Sequence, residues 1–205
     1  MNRGVDGWHT PPVGPSRHVR VLNLVPREGN IANRNKQQGT RWESALRDHL
    51  NKALGHVDQE GRLLDPFDPG NVRRPAQEGR LDVGDLHAVP VIIEAKDVAN
   101  SAVPTWLRQA RAEAVNAGFP FGLVAVKERR AAVARGKVHA DVRTWTRLRL
   151  DLGLDTATMR RRYGWRPCLR GLDTNRWYLS TDVAHLPALV RDLRDAHRFA
   201  EDQVV

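Results

Sequence analysis

The sequence predicts a mixed α/β fold in which helices flank a central β-sheet. Three observations lead to this prediction. Residues 40–54 repeat apolar side chains at the helical period, residues 80–96 contain two strand-like runs, and residues 121–127 are almost all apolar. The order of helix, two strands, helix and strand is typical of a sheet that is covered by helices.

The first predicted helix covers residues 40–54. Its apolar side chains, among them Trp42, Leu46 and Leu50, fall on one face, as expected for a helix packed against a core. Gly55 follows the last apolar residue and is a natural C-terminal stop. We therefore expect this helix to cover one face of the sheet.

The remaining elements are predicted from the same periodicities and from turn residues. Pro104 suits the first turn of a second helix, and Gly118 suits its end. The apolar run at 121–127 predicts a central strand buried on both faces. We predict strands at about 80–86, 91–96, 121–127, 138–146 and 177–180, helices at about 104–117 and 187–199, and a weaker, arginine-rich pattern at 147–175.

The chain of 205 residues is long enough for one domain with some flexible excess. We expect a flexible basic arm at 1–36, a folded domain at 37–199 with a basic insertion at about 128–175, and a tail at 200–205. The formal net charge is +9, from 33 Lys and Arg against 24 Asp and Glu. This surplus indicates a polyanionic partner such as nucleic acid, although basic composition also occurs where it serves only solubility.

Several protein classes do not fit the sequence. No apolar run approaches the ~20 residues that cross a bilayer, and residues 1–16 lack the apolar stretch of a signal peptide. The lone Cys168 forms no internal disulfide, and no Cys/His spacing is typical of a zinc site. We therefore expect a cytoplasmic protein without a membrane partner.

The predicted strand at 91–96, with the sequence VIIEAK, carries two charged side chains in an apolar setting. Alternate residues of a strand share a face, so Glu94 and Lys96 would emerge side by side at the end of this strand. Charge in an interior strand is costly unless it is paired or used. The pair is therefore a candidate for chemistry.

The register of the hairpin decides which upstream acid faces Glu94. A turn centred on the Val89–Pro90 bond puts Asp85 directly across from it, and a turn one residue earlier keeps Asp85 on that face. Asp82 is one residue out of phase with Asp85, so a regular strand would not present both. Gly84 would allow close approach of another backbone or of a phosphate.

Two facing carboxylates repel each other unless a cation lies between them. Mg²⁺, with Mn²⁺ as a substitute, suits such oxygen ligands, which would include Asp85, Glu94 and the backbone carbonyl of Ala95. Lys96 would orient a water or stabilise charge that develops on a phosphate. The alternative is a cross-strand salt-bridge cluster of the same charged residues.

Glu43 adds a fourth candidate. On a helical projection it falls inside the apolar arc of the first helix and points toward the sheet. The alternative is a capping box, in which Thr40 is the N-cap and Glu43 the third helical residue. Both roles remain open at this point.

The chain resembles the PD-(D/E)XK nuclease superfamily, and within it the Holliday junction resolvase-like proteins of phages and archaea. The resemblance covers roughly residues 39–127, through GTRWESALRDHL, RLDVGDLHAVPVIIEAKD and TWLRQARAEAVNAGFPFGLVAVK. WYLSTDVAHLPALVRDL resembles the closing strand and helix of the phage proteins. The chain departs from the pattern where Gly84 replaces the Pro of the superfamily's name and where the segment between Lys127 and Trp177 is longer.

The resemblance implies a restriction-endonuclease-like fold and a Mg²⁺-dependent endonuclease. Residue by residue, Asp85 and Glu94 would be metal ligands, Lys96 the catalytic lysine, and Glu43 the helix-one acid that belongs to the metal site and supports it. Gln109 matches a glutamine on the helix after the Glu-x-Lys strand. The resemblance further implies a homodimer that cuts branched DNA in recombination or repair, and a phage protein acting in the cytoplasm of its bacterial host fits.

Basic residues accumulate after the strand at 121–127. Between positions 127 and 149 only Glu128 and Asp141 oppose eight of them. We expect an exposed loop that lies along a phosphate backbone, although a solvated loop is the alternative. The predicted DNA-binding residues are Arg108, Gln109, Lys127, Arg129, Arg130, Arg135 and Lys137.

Two other functions remain open from the sequence. One is a restriction-like nuclease that acts on another DNA substrate. The other is a non-catalytic, basic DNA-binding protein that keeps only the nuclease fold. The presence of Glu43, Asp85, Glu94 and Lys96 favours an active enzyme.

Overall fold

A computed structural model describes residues 28–76, 82–98, 101–169 and 171–202, and for 28–36 and 198–202 it describes only the backbone. The described residues form five α-helices and six strands, joined by loops and short 3-10 turns. In chain order these are α1 Glu28–Leu54, β1 Leu86–Ala88, β2 Val91–Lys96, α2 Val103–Asn116, β3 Phe121–Val126, β4 Lys137–Asp141, α3 Val142–Asp151, α4 Thr156–Tyr163, β5 Arg166–Cys168, β6 Tyr178–Asp182 and α5 Leu186–Asp202.

The strands form one mixed sheet in the order β1-β2-β3-β4-β6-β5. β2 and β3 are parallel and are connected through α2, whereas the other neighbouring strands are antiparallel. The predicted mixed α/β sheet flanked by helices is confirmed at this level. No helix among the described residues combines the length and the apolar character needed to cross a bilayer.

Helices cover both faces of the sheet. Along β2, Val91, Ile93 and Ala95 face a core that is shared with α1 and α5. On the opposite face, Val124 of β3 packs beneath α2, which contributes Leu107. Because side chains alternate along β2, Glu94 and Lys96 lie on the α2 face. An acidic side chain on α1, such as Glu43, therefore approaches the end of β2 from the face opposite to that of Glu94 and Lys96.

Helix α1 is longer than predicted. It begins at Glu28, so residues 28–36 of the expected flexible arm are helical, while residues 1–27 lie outside the described residues. Extending a helix costs little once it has nucleated, and the packed half around Trp42 supplies that nucleus. Thr40 lies inside the helix, so its predicted role as N-cap is wrong.

The hairpin has the predicted register, but the predicted first strand at about 80–86 is wrong except at its last residue. Leu86 pairs with Ile93, so the two strands turn at Val89–Pro90 as expected. β1 covers only Leu86–Ala88, residues 82–85 are not part of a strand, and residues 80 and 81 lie outside the described residues. Gly84 explains this start, because its φ of +83° lies outside the range of an extended strand.

The predicted strand at 138–146 is correct only in its first half. β4 ends at Asp141, whose carboxylate accepts the backbone N–H of Thr144 at 2.6 Å and caps α3. β4 lies between β3 and β6, so the predicted insertion at about 128–175 contributes to the interior of the sheet. The predicted second helix, central strand, last strand and last helix agree with α2, β3, β6 and α5 to within a few residues.

Candidate active site

The carboxylate of Asp85 lies against the edge of β2. Asp85 directly precedes β1, and its Oδ2 accepts a hydrogen bond from the backbone N–H of Ala95 at 2.8 Å. On the other side of β2, the carbonyl of Lys96 accepts the N–H of Lys127 at 2.9 Å. Because successive peptide groups of a strand point to alternate sides, the carbonyl of Ala95 points to the side where Asp85 lies.

Glu94 is a buried acid at the end of β2, with 3% of its surface exposed. Its Oε1 accepts hydrogen bonds from the ammonium of Lys96 and from Nε2 of Gln109, the latter at 3.0 Å. Burial, and then the charge of Asp85, raise the pKa of Glu94 to about 8, against the lowering effect of Lys96. Its carboxylate is therefore short of compensating positive charge.

Glu113 on α2 belongs to this site and was missed by the sequence prediction. It is 1% exposed, and neither carboxylate oxygen makes a hydrogen bond of normal geometry within the described residues. Burial raises its pKa most, polar contacts with the side chains of Glu94 and Gln109 lower it, and the charges of Asp82 and Asp85 raise it further. An uncompensated carboxylate of this kind is costly in a protein interior.

A signal for Glu113 was present in the sequence. It lies one helical turn after Gln109, between the buried residues Ala110 and Ala114. Residues four apart share a helix face, so an acid at this position points toward the same strand as Gln109. A search for charged residues on the inner flank of the second helix would have found it.

Glu43 on α1 faces Asp85 across a cleft. The cleft has a volume of about 520 Å³ and is also lined by Thr40, Pro75 and Gly84. Glu43 forms an ion pair with Arg74. Burial and then the charge of Asp85 raise the pKa of Glu43, whereas Arg74 lowers it. Because α1 begins at Glu28, Thr40 and Glu43 do not form the capping box that was one of the two predicted roles. The other predicted position of Glu43, beside the site, agrees with the cleft.

Gly84 lets Asp85 and its neighbours pack closely. A Cβ on Gly84 would overlap the side chain of Ile92 and lie 3.3 Å from Oε2 of Glu113. The groups that approach Gly84 closely are therefore side chains of β2 and α2, rather than the backbone or phosphate expected from the sequence. Asp82, by contrast, is exposed and accepts the backbone N–H of Gly84 at 3.1 Å.

The predicted DNA-contact loop begins next to this site. Lys127 follows β3 and pairs with Asp97 at 2.7 Å, and Lys137 pairs with Asp182. Gln109 donates to Glu94, and Arg108 is exposed on α2. Three further arginines are exposed and have no ion pair within the described residues: Arg129, Arg130 and Arg135.

The structure thus brings Asp85, Glu94, Lys96 and the Ala95 carbonyl together at the end of β2, with Glu43 across the cleft. Among the described residues, no three His, Cys, Asp or Glu side chains are placed to hold a metal ion by themselves. The oxygen donors that meet at the end of β2 are the carboxylates of Asp85 and Glu94 and the carbonyl of Ala95.

Comparison with known proteins offers no relative from which residue roles can be transferred. No protein family, no curated protein and no solved structure matches this chain.

Proposed function

We propose that the protein is a metal-dependent endonuclease that hydrolyses phosphodiester bonds in DNA, on a restriction-endonuclease-like fold. One observation carries the proposal. The carboxylate of Asp85 accepts a hydrogen bond from the backbone N–H of Ala95 in β2. Ala95 is the residue between Glu94 and Lys96 in the chain. Two acids and an ammonium therefore meet at one end of the sheet.

The donor set suits a hard divalent cation. Asp85, Glu94 and the carbonyl of Ala95 offer only oxygen, which Mg²⁺ and Mn²⁺ prefer. The raised pKa values of Glu43 and Glu94 indicate acids in need of positive charge. A bound Mg²⁺ would supply Lewis-acid polarisation of the phosphate and acidify a coordinated water.

The residues of the cleft have distinct roles in the proposed hydrolysis. The water oxygen forms a bond to phosphorus while one P–O ester bond breaks and the leaving oxygen takes up a proton from solvent. Lys96 stabilises the negative charge on the phosphate in this step. Glu43, across the cleft from Asp85, accepts the proton that the attacking water loses, for which a raised pKa is suitable.

DNA is the proposed substrate because a basic loop, residues 127–137, begins beside the site. The hydrogen bond from Lys127 to Lys96 joins the start of this loop to the end of β2. Exposed guanidinium groups at Arg129, Arg130 and Arg135 are suited to phosphate contacts. The net charge of +9 favours the same class of partner.

A branched substrate and a homodimer complete the proposal, and both come from the resemblance to Holliday junction resolvases. A four-way junction has two strands to cut, and a two-fold dimer presents two equivalent sites. The restriction-like alternative keeps the same chemistry on another DNA substrate. We propose that the protein acts in the cytoplasm and that its cofactor is Mg²⁺.

A non-catalytic DNA-binding protein is the second candidate. The observation in its favour is that protein cations already pair with two of the acids, Lys96 with Glu94 and Arg74 with Glu43. Such pairs would also occur in a purely structural cluster.

One experiment separates the candidates. Purified protein is incubated with four-way junction, flap and linear duplex DNA, in Mg²⁺, in Mn²⁺ and in EDTA. We expect Mg²⁺-dependent, symmetric nicks across the junction and no cleavage in EDTA. Cleavage that persists in EDTA contradicts the metal site, binding without cleavage favours the second candidate, and preference for linear duplex favours a restriction-like nuclease.

A further inference from the structure

Helix α2 has two polar flanks on either side of its buried face. Its buried residues Val103, Leu107, Ala110 and Ala114 pack onto the sheet. At about 100° per residue, Gln109 and Glu113 fall on one flank of that face, and Arg108 and Arg111 fall on the other. The first flank faces the candidate active site, so the two arginines point away from it.

The arginine flank of α2 lines a groove shared with α3. Two adjoining cavities make up this groove, with volumes of about 400 and 410 Å³. Both cavities are lined by Arg108, Arg111 and Arg143, and Arg147 lines one of them. We call the groove that these four arginines line the α2–α3 groove.

Acidic groups do little to neutralise the α2–α3 groove. The only acid in its lining is Asp141, which pairs with Arg111 at 3.2 Å and also caps α3. Within the described residues, the other three arginines have no acidic partner. Arg108 donates to the hydroxyl of Thr105, and the guanidinium of Arg147 lies 5.7 Å from the ring centre of Phe121.

A nucleic-acid backbone fits this groove by its charge and by its form. Three uncompensated guanidinium groups attract a polyanion, and each presents a planar fork that matches a phosphate. The two cavities share three of these arginines, so the groove offers more than one phosphate-sized space, which suits a polyanion better than a single anion. Trp177 lines one of the cavities and adds an aromatic wall.

We propose that the α2–α3 groove binds a second DNA backbone that the protein does not cut. The active site and the groove lie on opposite flanks of α2, so the two backbones are separated by about one helix diameter, ~10 Å. This inference rests on the proposed function for the identity of the cut strand. The basic loop after β3 contacts the cut strand, and the groove holds the second backbone in position.

The test compares two double variants with the same change in charge. Arg108→Gln/Arg143→Gln removes two groove arginines and keeps part of each side-chain stem. Arg160→Gln/Arg161→Gln removes two exposed arginines from α4, outside the groove. Affinity for fluorescently labelled four-way junction and linear duplex is measured in EDTA, to prevent cleavage, over a series of salt concentrations.

We expect the groove variant to bind DNA at least roughly tenfold more weakly than wild type, with a salt dependence reduced by about one to two phosphate contacts. The α4 variant should bind within about twofold of wild type. Circular dichroism checks folding, and if the double variant does not fold, Arg143→Gln alone should reduce the salt dependence by about one contact.

The outcomes separate this inference from the proposed nuclease activity. Wild-type protein that binds DNA but never cleaves it overturns the nuclease proposal and leaves the groove in place, provided that only the groove variant is weakened. Equal binding by the groove and α4 variants overturns the groove. Wild-type protein that binds no DNA, or an acidic peptide that binds in the groove while DNA does not, also overturns it.

Discussion

The backbone N–H of Ala95 donates a hydrogen bond to the carboxylate of Asp85 at 2.8 Å. This contact links the residue before β1 to the strand that carries Glu94 and Lys96. The position of Asp85 therefore depends on a neutral backbone donor, and an amide oxygen at the same place could accept the same bond. Charge and position at residue 85 can thus be separated by substitution.

Asp85→Asn should keep the hydrogen bond to Ala95 and remove the negative charge. We expect the rate of DNA cleavage to fall roughly a hundredfold or more, because a charged ligand of the proposed cation is lost. Thermal stability should not fall, because the negative charge of Asp85 also repels Glu94 and Glu43. The control is Glu60→Gln, which alters an exposed acid outside the cleft and should leave cleavage within about twofold. Equal loss in both variants would contradict the assignment of Asp85.

Glu94→Gln should remove a pH dependence of stability in metal-free protein. The pKa of Glu94 is raised from 4.5 to about 8, so the protonated acid stabilises the fold fully below about pH 4.5. That contribution is lost as the pH rises through about 8. Urea unfolding in EDTA between pH 5 and 9 should show wild type losing on the order of a few kcal/mol and the variant losing much less.

Mg²⁺ extends the test of Glu94. The ion should raise the unfolding temperature of wild type, because a ligand that binds only the folded state stabilises it. Glu94→Gln should abolish most of that rise, while Glu60→Gln on an exposed loop should preserve it. The proposal fails if the two variants respond to Mg²⁺ alike.

Glu113→Gln should interact energetically with Glu94→Gln. The charge of Glu113 raises the pKa of Glu94, so removing it makes Glu94 easier to ionise. A double-mutant cycle of unfolding free energies at pH 8 in EDTA should give a coupling of about 0.5 kcal/mol or more. Additive effects of the two substitutions would show that the carboxyl groups act independently.

Gly84→Ala should destabilise the protein more than Gly61→Ala. Both glycines have nearly the same positive φ, +83° and +82°, but a Cβ at Gly61 meets no other atom within 4 Å. Backbone strain alone should cost about 1–2 kcal/mol at Gly61, and overlap with Ile92 should add about 1–3 kcal/mol at Gly84. Chemical denaturation measures both. Similar losses would mean that the packing around Gly84 can relax.

His139 should make the fold sensitive to acid. Burial, and then the charge of Lys137, lower its pKa from 6.5 to about 4. The folded state therefore keeps a neutral imidazole. The contribution of His139 to the free energy of unfolding is fully present above pH 6.5 and is lost as the pH falls toward 4. His139→Phe, which keeps an aromatic ring beside Tyr178, should lose about 3 kcal/mol less than wild type between pH 7.5 and 4. An unchanged acid loss in urea unfolding would contradict this.

Most elements of the fold could be predicted because their signals are local. The period of apolar residues identified the second half of α1, and the turn at Val89–Pro90 set the register that favoured Asp85 over Asp82. The predictions were wrong at the ends of elements, where the local sequence pattern does not show where a helix or strand begins or stops. The alternation of β4 continues past Asp141 in the sequence, although that residue caps a helix.

The sequence by itself determined the mixed α/β class and the alignment of Asp85 with Glu94, because strand period and turn position depend on neighbouring residues. Only the tertiary structure decided that Arg74 pairs with Glu43, that Glu113 lies beside Glu94, and that the arginines of α2 and α3 share a groove. These contacts join segments that are far apart in the chain. Their formation depends on how the helices pack across the sheet, which no local pattern specifies.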